Sequence, residues 1–452
     1  MLLGALLLAA AGFLASSPVP LRTWTSAPTD AFWLSLGLDP HPVRLVIPAD
    51  PPLSAVARLG ARLFRDQRLS ASGRMSCASC HHPRFAFGPA SRTPVVLGGP
   101  EGSTPGFRAV PSLEYLYRQP AFTIGPDIEN GNDVPVPLTL QARAAAGQPR
   151  VLKSAQAPQA AASNRVPQGG LFWDGRADTL EQQVNGPLFN PAEMDGGSVQ
   201  EVAGKLASGS YAAEFKQLFG PTVFDNPGLA VDEAMFAIAR YQIEDPAFHP
   251  FNSRYDAWLE GKARLSRAEL KGYLLFNDPQ KGNCAACHLD QPTRSGEPPL
   301  FTDHQFEALG VPRNPEIPAN RDPHYYDLGV CGPYRTDLRT QTQYCGMFLT
   351  PTLRNVARRH VFFHNGVFHD LPQVLDFYVN RDIDPGRFYP RDSAGRVIRY
   401  DDVPARYRAN VDTVDAPLNR RAGDRAALTR GEIRDVIAFL GTLTDGHPGA
   451  SR

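Results

Sequence analysis

The sequence predicts a mainly α-helical protein of two domains with long irregular loops and little β structure. Three observations lead there. Apolar residues recur at helical spacing in several windows, two of them opened by a Ser/Thr-x-x-Glu capping box. Alternating apolar and polar runs, the mark of half-buried strands, are sparse. A five-residue cysteine and histidine motif occurs once in each half of the chain, each time behind a helical pattern, which signals a duplicated unit. At 452 residues the chain has the length of more than one domain. The ranges expected are 40–245 and 246–446, with the boundary near Asp245–Gly261.

Taken in order, residues 2–15 are apolar and uncharged, and the small residues Ala15, Ser16 and Ser17 close the run. A secretory signal peptide over 1–18 fits that pattern, and it predicts export to the periplasm. The missing Lys/Arg n-region leaves an uncleaved anchor or a misplaced start open. Val56, Leu59, Leu63 and Phe64 mark a helix before the first motif. Ser266-Arg-Ala-Glu269 opens a second helix carrying Leu270, Leu274, Leu275 and Phe276, and Thr429-Arg-Gly-Glu432 opens a third carrying Ile433, Val436, Ile437, Leu440 and Leu443. Segments 114–168, 292–345 and 380–425 read as irregular, a length that usually carries function or disorder. Glycine (39) and proline (43) are abundant enough to predict many such loops.

Lys plus Arg is 46 and Asp plus Glu is 46, so the formal net charge is zero, which argues against a nucleic-acid partner. No stretch beyond the N-terminal one approaches 18 apolar residues, so no membrane contact is expected past that segment.

The two motifs are Cys77-Ala-Ser-Cys80-His81 and Cys284-Ala-Ala-Cys287-His288. C-x-x-C-H is the attachment motif of c-type haem. Each thiol adds to a vinyl group, and the adjacent histidine becomes the proximal iron ligand. One turn of backbone sets both sulfurs and the imidazole along one porphyrin edge. A redox dithiol needs neither the histidine nor a second copy. A zinc site built from both pairs leaves His81 and His288 unexplained. The reading is two covalently bound haem c groups. Cys331 and Cys345 lie outside any such motif and are read as a disulfide, two unrelated buried thiols being the alternative. Closing that loop would contribute about 3 kcal/mol in the chain-entropy model.

Further motifs follow in a fixed order: Leu63-Phe-Arg-Asp-Gln-Arg-Leu-Ser70, Phe172-Trp-Asp-Gly-Arg176, Leu180-Glu-Gln-Gln183, and Gly186-Pro-Leu-Phe-Asn-Pro-Ala-Glu-Met194. After the second haem motif come Pro351-Thr-Leu-Arg-Asn-Val356 and Phe363-His-Asn-Gly366. The series resembles the bacterial di-haem cytochrome c peroxidase family, which includes the MauG-type enzymes, from about residue 50 to 445. The resemblance implies two cytochrome c-like domains holding their haems apart with a tryptophan between them. His81 then becomes the proximal ligand of the peroxide-binding haem. Glu193 matches the distal-pocket acid, Gln183 its polar neighbour, and Trp173 the inter-haem tryptophan. A carboxylate beside an open coordination site also suits the proton shift that peroxide cleavage needs.

Three departures from the simpler peroxidases matter. Those that need reductive activation keep a histidine in the loop after the first motif, whereas here Pro83 to Tyr115 contains none. His82, next to the proximal ligand, is a poor substitute, so an open site is expected in the oxidised protein. The electron-transfer haem of the simpler peroxidases takes a distal methionine, and the matching position here is Tyr378, as in MauG-type enzymes. A phenolate favours higher oxidation states, where methionine raises the potential. Met347 is the alternative ligand. The family often holds Ca²⁺ near the domain interface, and Arg359, at the position usual for a threonine, puts that ion in doubt.

The function expected is reduction of H₂O₂ to water at the His81 haem, with electrons relayed through the His288 haem and Trp173 from a small donor protein such as a cytochrome c or a cupredoxin. A second reading stores both oxidising equivalents over the two haems and oxidises residues of a partner protein. A third is a non-enzymatic di-haem electron carrier. Segments 292–345 and 380–425 are expected to edge or cover the second haem.

Overall fold

The computed structural model describes residues 28–126 and 165–448. The signal peptide expected over 1–18 and most of segment 114–168 lie outside the described residues. Helices dominate, and the described strands form three short two-stranded antiparallel ribbons.

Two helix crossings organise the two largest hydrophobic cores. In the first, Ser54 caps the Ala55–Leu63 helix, its hydroxyl accepting the Ala57 N–H at 3.0 Å. The stripe Ala57, Leu59, Gly60 and Leu63 is buried and packs on the Pro227–Glu244 helix. A Cβ at Gly60 would stand 1.8 Å from the Ala237 carbonyl oxygen, so only glycine permits this approach. Around the crossing lie Phe64, Phe215, Met235, Ile238 and Phe248.

The second core repeats the device. The Arg267–Asn277 and Arg430–Gly441 helices both open with the capping boxes read from the sequence. They cross at Gly272, where a Cβ would meet the Asp435 carbonyl oxygen at 1.9 Å. Tyr255, Trp258, Tyr273, Phe276, Phe301 and Phe439 fill this core with edge-to-face and tilted aromatic pairs. Residues 37–45 pack here too: Trp258 Nε1 donates to Gly37 O at 3.0 Å, Val43 N to Leu259 O at 2.8 Å, and Leu45 is buried in this core.

A buried polar seam joins the two halves. Asn355 Nδ2 donates to Glu114 Oε2 at 2.7 Å and to Asp445 Oδ2 at 2.5 Å, and the Tyr115 hydroxyl donates to the same Asp445 oxygen. Arg354 forms a two-pronged pair with Asp256, both buried.

A loop is also duplicated. Phe172–Gly175 and Phe363–Gly366 each place a phenylalanine (φ 68° and 62°) and a glycine (φ 65° and 63°) in left-handed backbone. Each is closed by an antiparallel bridge, Leu171 to Ala177 and Phe362 to Phe368. Each leads into a ten-residue helix, Leu180–Phe189 capped by Thr179 and Leu371–Asn380 capped by Asp370.

Candidate active site

The first haem motif forms a single turn, Cys77–Cys80, with Ser76 and Ser79 closing a capping box, and His81 N donates to Cys77 O at 2.9 Å. Cys77, Cys80 and His81 open onto one cavity. His81 Nδ1 lies 2.7 Å from the Phe87 carbonyl oxygen. Burial lowers its pKa to about 4, with the Phe87 carbonyl pulling upward and the Arg359 charge downward. The ring is therefore neutral, with its proton on Nδ1 and the Nε2 lone pair left for a metal. Burial pushes the Cys77 thiol up to about 12 and Cys80 to about 11.

Trp173, Arg176, Gln183, Asn190 and Glu193 line the same cavity. The Leu180–Phe189 helix presents Gln183, and the chain then turns at Asn190, whose Oδ1 accepts the Ala192 N–H at 2.9 Å. Asn190 Nδ2 donates to Glu193 Oε1 at 2.6 Å. Burial raises the Glu193 pKa above its ordinary value, while Asn190 and the Arg176 charge work against that rise. Asn190 and Arg176 were not singled out from sequence, although Asn-Pro is a turn signal that could have flagged the first. Arg176 lies over the Phe172 ring at 3.6 Å and pairs with Asp174 at 2.8 Å. Asp174 also binds Arg108, which reaches on to Asp327.

Trp173 is fixed by its left-handed neighbour Phe172 and by Nε1 donating to Ala109 O at 2.8 Å. It lies on the wall of the first cavity and also of a second. The second is lined by Cys284, Cys287, His288, Arg359, His364 and Tyr378 among others. His288 Nδ1 lies 2.8 Å from Phe301 O, and burial lowers its pKa to about 4, so this ring too is neutral. Burial pushes the Cys284 thiol up to about 12. Burial raises the Tyr378 phenol pKa, and the nearby Cys287 and Cys284 add to the rise.

The two C-x-x-C pairs thus open into separate cavities, whereas a shared zinc site would bring them together. Each cavity pairs two thiols with a neutral imidazole oriented by a carbonyl, the donor set that a c-type haem requires.

Met347 is not on the second cavity's wall and packs against the Cys331–Cys345 disulfide. His82 accepts the Arg84 N–H through Nδ1 and does not line the first cavity. Segment 292–345 gives Glu307, Val311 and Asp327 to the second cavity and Tyr334 to the first, while segment 380–425 gives Asp402, Val403 and Leu418 to the second. On the loop where calcium was in doubt, the Arg359 guanidinium holds the Val110 carbonyl at 3.1 Å. A fixed cation there does not fit a bound divalent ion. Among the described residues no helix is long and apolar enough to cross a membrane.

Fold and site together define a helical protein with two cavities whose thiol and imidazole sets suit haem, the first carrying Glu193 on its wall. Comparison with known proteins agrees. The family model for di-haem cytochrome c peroxidases matches residues 54–264. The methylamine utilization protein MauG of Paracoccus denitrificans is 33% identical over 420 residues, 89% of this chain and 94% of that protein. The cytochrome c551 peroxidase of Nitrosomonas europaea is 28% identical, over 90% of this chain and 85% of its own. The crystal structure of the diheme peroxidase BthA from Burkholderia thailandensis superposes with a TM-score of 0.73 at 35% identity, covering 90% of this chain and 93% of that one. The chain belongs to the di-haem cytochrome c peroxidase/MauG family. It is an oxidoreductase of that family and takes two haems.

Proposed function

We propose that this protein reduces hydrogen peroxide to water at the first cavity, with electrons arriving through the His288 side and Trp173. The supporting observation is the composition of one wall: Glu193, Gln183 and Trp173 share the cavity of Cys77, Cys80 and His81, and Trp173 is also on the wall of the second. His81 would hold a haem iron, and that iron would supply the Lewis-acidic, redox-active centre for peroxide. Glu193 accepts the proton of the inner peroxide oxygen and returns it to the outer one, which leaves as water. Asn190 holds the carboxylate in place, and Gln183 contributes a second polar group to the wall. Trp173 shortens each electron step between the cavities. The balance is one H₂O₂, two protons and two electrons giving two waters. In this reading both haems are covalently attached, the 1–18 leader exports the chain to the periplasm, and a small redox protein donates the electrons.

A second reading, oxidation of a partner protein with both equivalents held over the two haems, is favoured by Tyr378 on the second cavity's wall beside Cys284 and Cys287. One experiment separates the two. H₂O₂ is added to the fully oxidised protein while visible, near-infrared and EPR spectra are recorded. Joint loss of both ferric signals with a new near-infrared band supports the second reading. A change confined to the first haem, followed by turnover with a reduced donor, supports the first. No reaction until one haem is reduced would refute the open site, and no reaction at all would make the protein an electron carrier.

A further inference from the structure

Arg359 is a charge without a matching counter-charge. Its guanidinium has five N–H donors, yet its hydrogen bond is a single one, from Nη2 to the neutral Val110 carbonyl. It forms no ion pair among the described residues. The acid that acts on it is Glu114. That carboxyl is buried, shares the Asn355 amide with Asp445, and has its pKa raised to about 8, so it is mostly protonated at neutral pH and balances little. A guanidinium taken out of water without an anion is costly. Burial lowers the Arg359 pKa to about 10.

Its position supplies the missing half. Arg359 lines the second cavity, the one entered by Cys284, Cys287 and His288. Its guanidinium carbon also lies beside the His81 loop, 3.7 Å from where a Cβ on Gly88 would stand, and its charge acts on His81 itself. A haem carries two carboxylate side chains, and planar two-pronged recognition of a carboxylate is what arginine does best. We propose that Arg359 binds an acidic side chain of the haem in the second cavity and holds a fixed positive charge between the two haem sites. This rests on the two-haem reading above. The charge favours the ferrous form of both irons, because it disfavours an added positive charge nearby.

The test uses the intact protein and the variants R359M and R359K. Pyridine haemochrome analysis and intact mass first count covalent haems. Fewer than two in the unaltered protein would overturn the haem reading, and this inference with it. With two present, spectroelectrochemical titration gives the ferrous-to-ferric ratio of each haem at a fixed potential. R359M should lower that ratio at least tenfold at the second haem and should lower it at the first as well. R359K, which keeps the charge, should stay within threefold. R359M also removes an uncompensated charge, so its haem-free thermal stability should not fall. A ratio within threefold at both haems in R359M would overturn the proposal. So would equal shifts in R359M and R359K, which would make the side chain's shape rather than its charge responsible.

Discussion

Replacing Glu193 by Gln changes one oxygen to an amide nitrogen and leaves Oε1 able to accept from Asn190 Nδ2, now 2.6 Å away. Packing and hydrogen bonding therefore survive, and the loss is confined to proton acceptance. A positioned general acid–base group contributes about 10²- to 10⁴-fold, or about 2.7–5.4 kcal/mol of barrier at 1.36 kcal/mol per tenfold. Stability should not fall, because burial already penalises the ionised carboxylate. Stopped-flow mixing of the oxidised protein with excess H₂O₂ across pH 4.5–8 reads the effect directly. Glu193 must be ionised to accept the peroxide proton, so the rate should fall as pH drops through a pKa above the ordinary 4.5. E193Q should be slower by two to four orders of magnitude and should lack that acid limb. In N190A the loss of a hydrogen bond that holds the pKa down should move the limb to higher pH. An E193Q rate within tenfold of the unaltered protein, or an acid limb that persists in it, would refute the assignment.

Four more outcomes are expected. W173F should slow electron transfer between the haems more than tenfold, as seen by flash reduction, and more than it slows the peroxide reaction. Y378F should change the optical and EPR spectrum of the second haem and leave the first as it was; an unchanged second haem would discard the ligand assignment. E114Q bears on pH and stability. The Glu114 pKa is raised by burial first and Asp445 second, to about 8. Between about 4.5 and 8 the folded state keeps a proton that the unfolded state has lost, so stability falls by up to about 1.4 kcal/mol per pH unit as pH rises. Melting curves should show E114Q gaining on the unaltered protein over that window, and a constant difference would count against a protonated Glu114. D256N leaves Arg354 buried and short of its anion, a loss of about 3–5 kcal/mol by chemical denaturation.

What the sequence made legible was local. The capping boxes at Ser266 and Thr429 are readable because the cap and its partner glutamate are three residues apart. The haem motifs each fit in one turn. What escaped depends on distant partners. Arg108 is set by Asp327 far along the chain, and Arg359 by the Val110 carbonyl. Residues 43–47 carry no sign that they pack on the second core, since that contact is formed with residues beyond 250. Ribbons such as Leu97–Gly98 with Thr104–Pro105 are too short to show a period of two.

The duplicated loop and helix explain how one backbone frame can serve two chemistries. Trp173 and His364 occupy the same place in it, and the Ala109 peptide ties them together, its carbonyl taking Trp173 Nε1–H and its N–H bonding His364 O at 2.7 Å. In the helices that follow, the fourth residue is Gln183 in one and Val374 in the other, and the eighth is Pro187 in one and Tyr378 in the other. All four line their respective cavities. Proline has no side-chain atom that could ligate a metal, and tyrosine has a phenol oxygen. At the same step of the frame, therefore, the first cavity has no ligating group and the second has one. The fourth position gives a polar neighbour for Glu193 in the first cavity and an apolar wall in the second. The two helices thus differ at two cavity-lining positions in the way the proposed division of labour requires, Pro187 opposite Tyr378 and Gln183 opposite Val374.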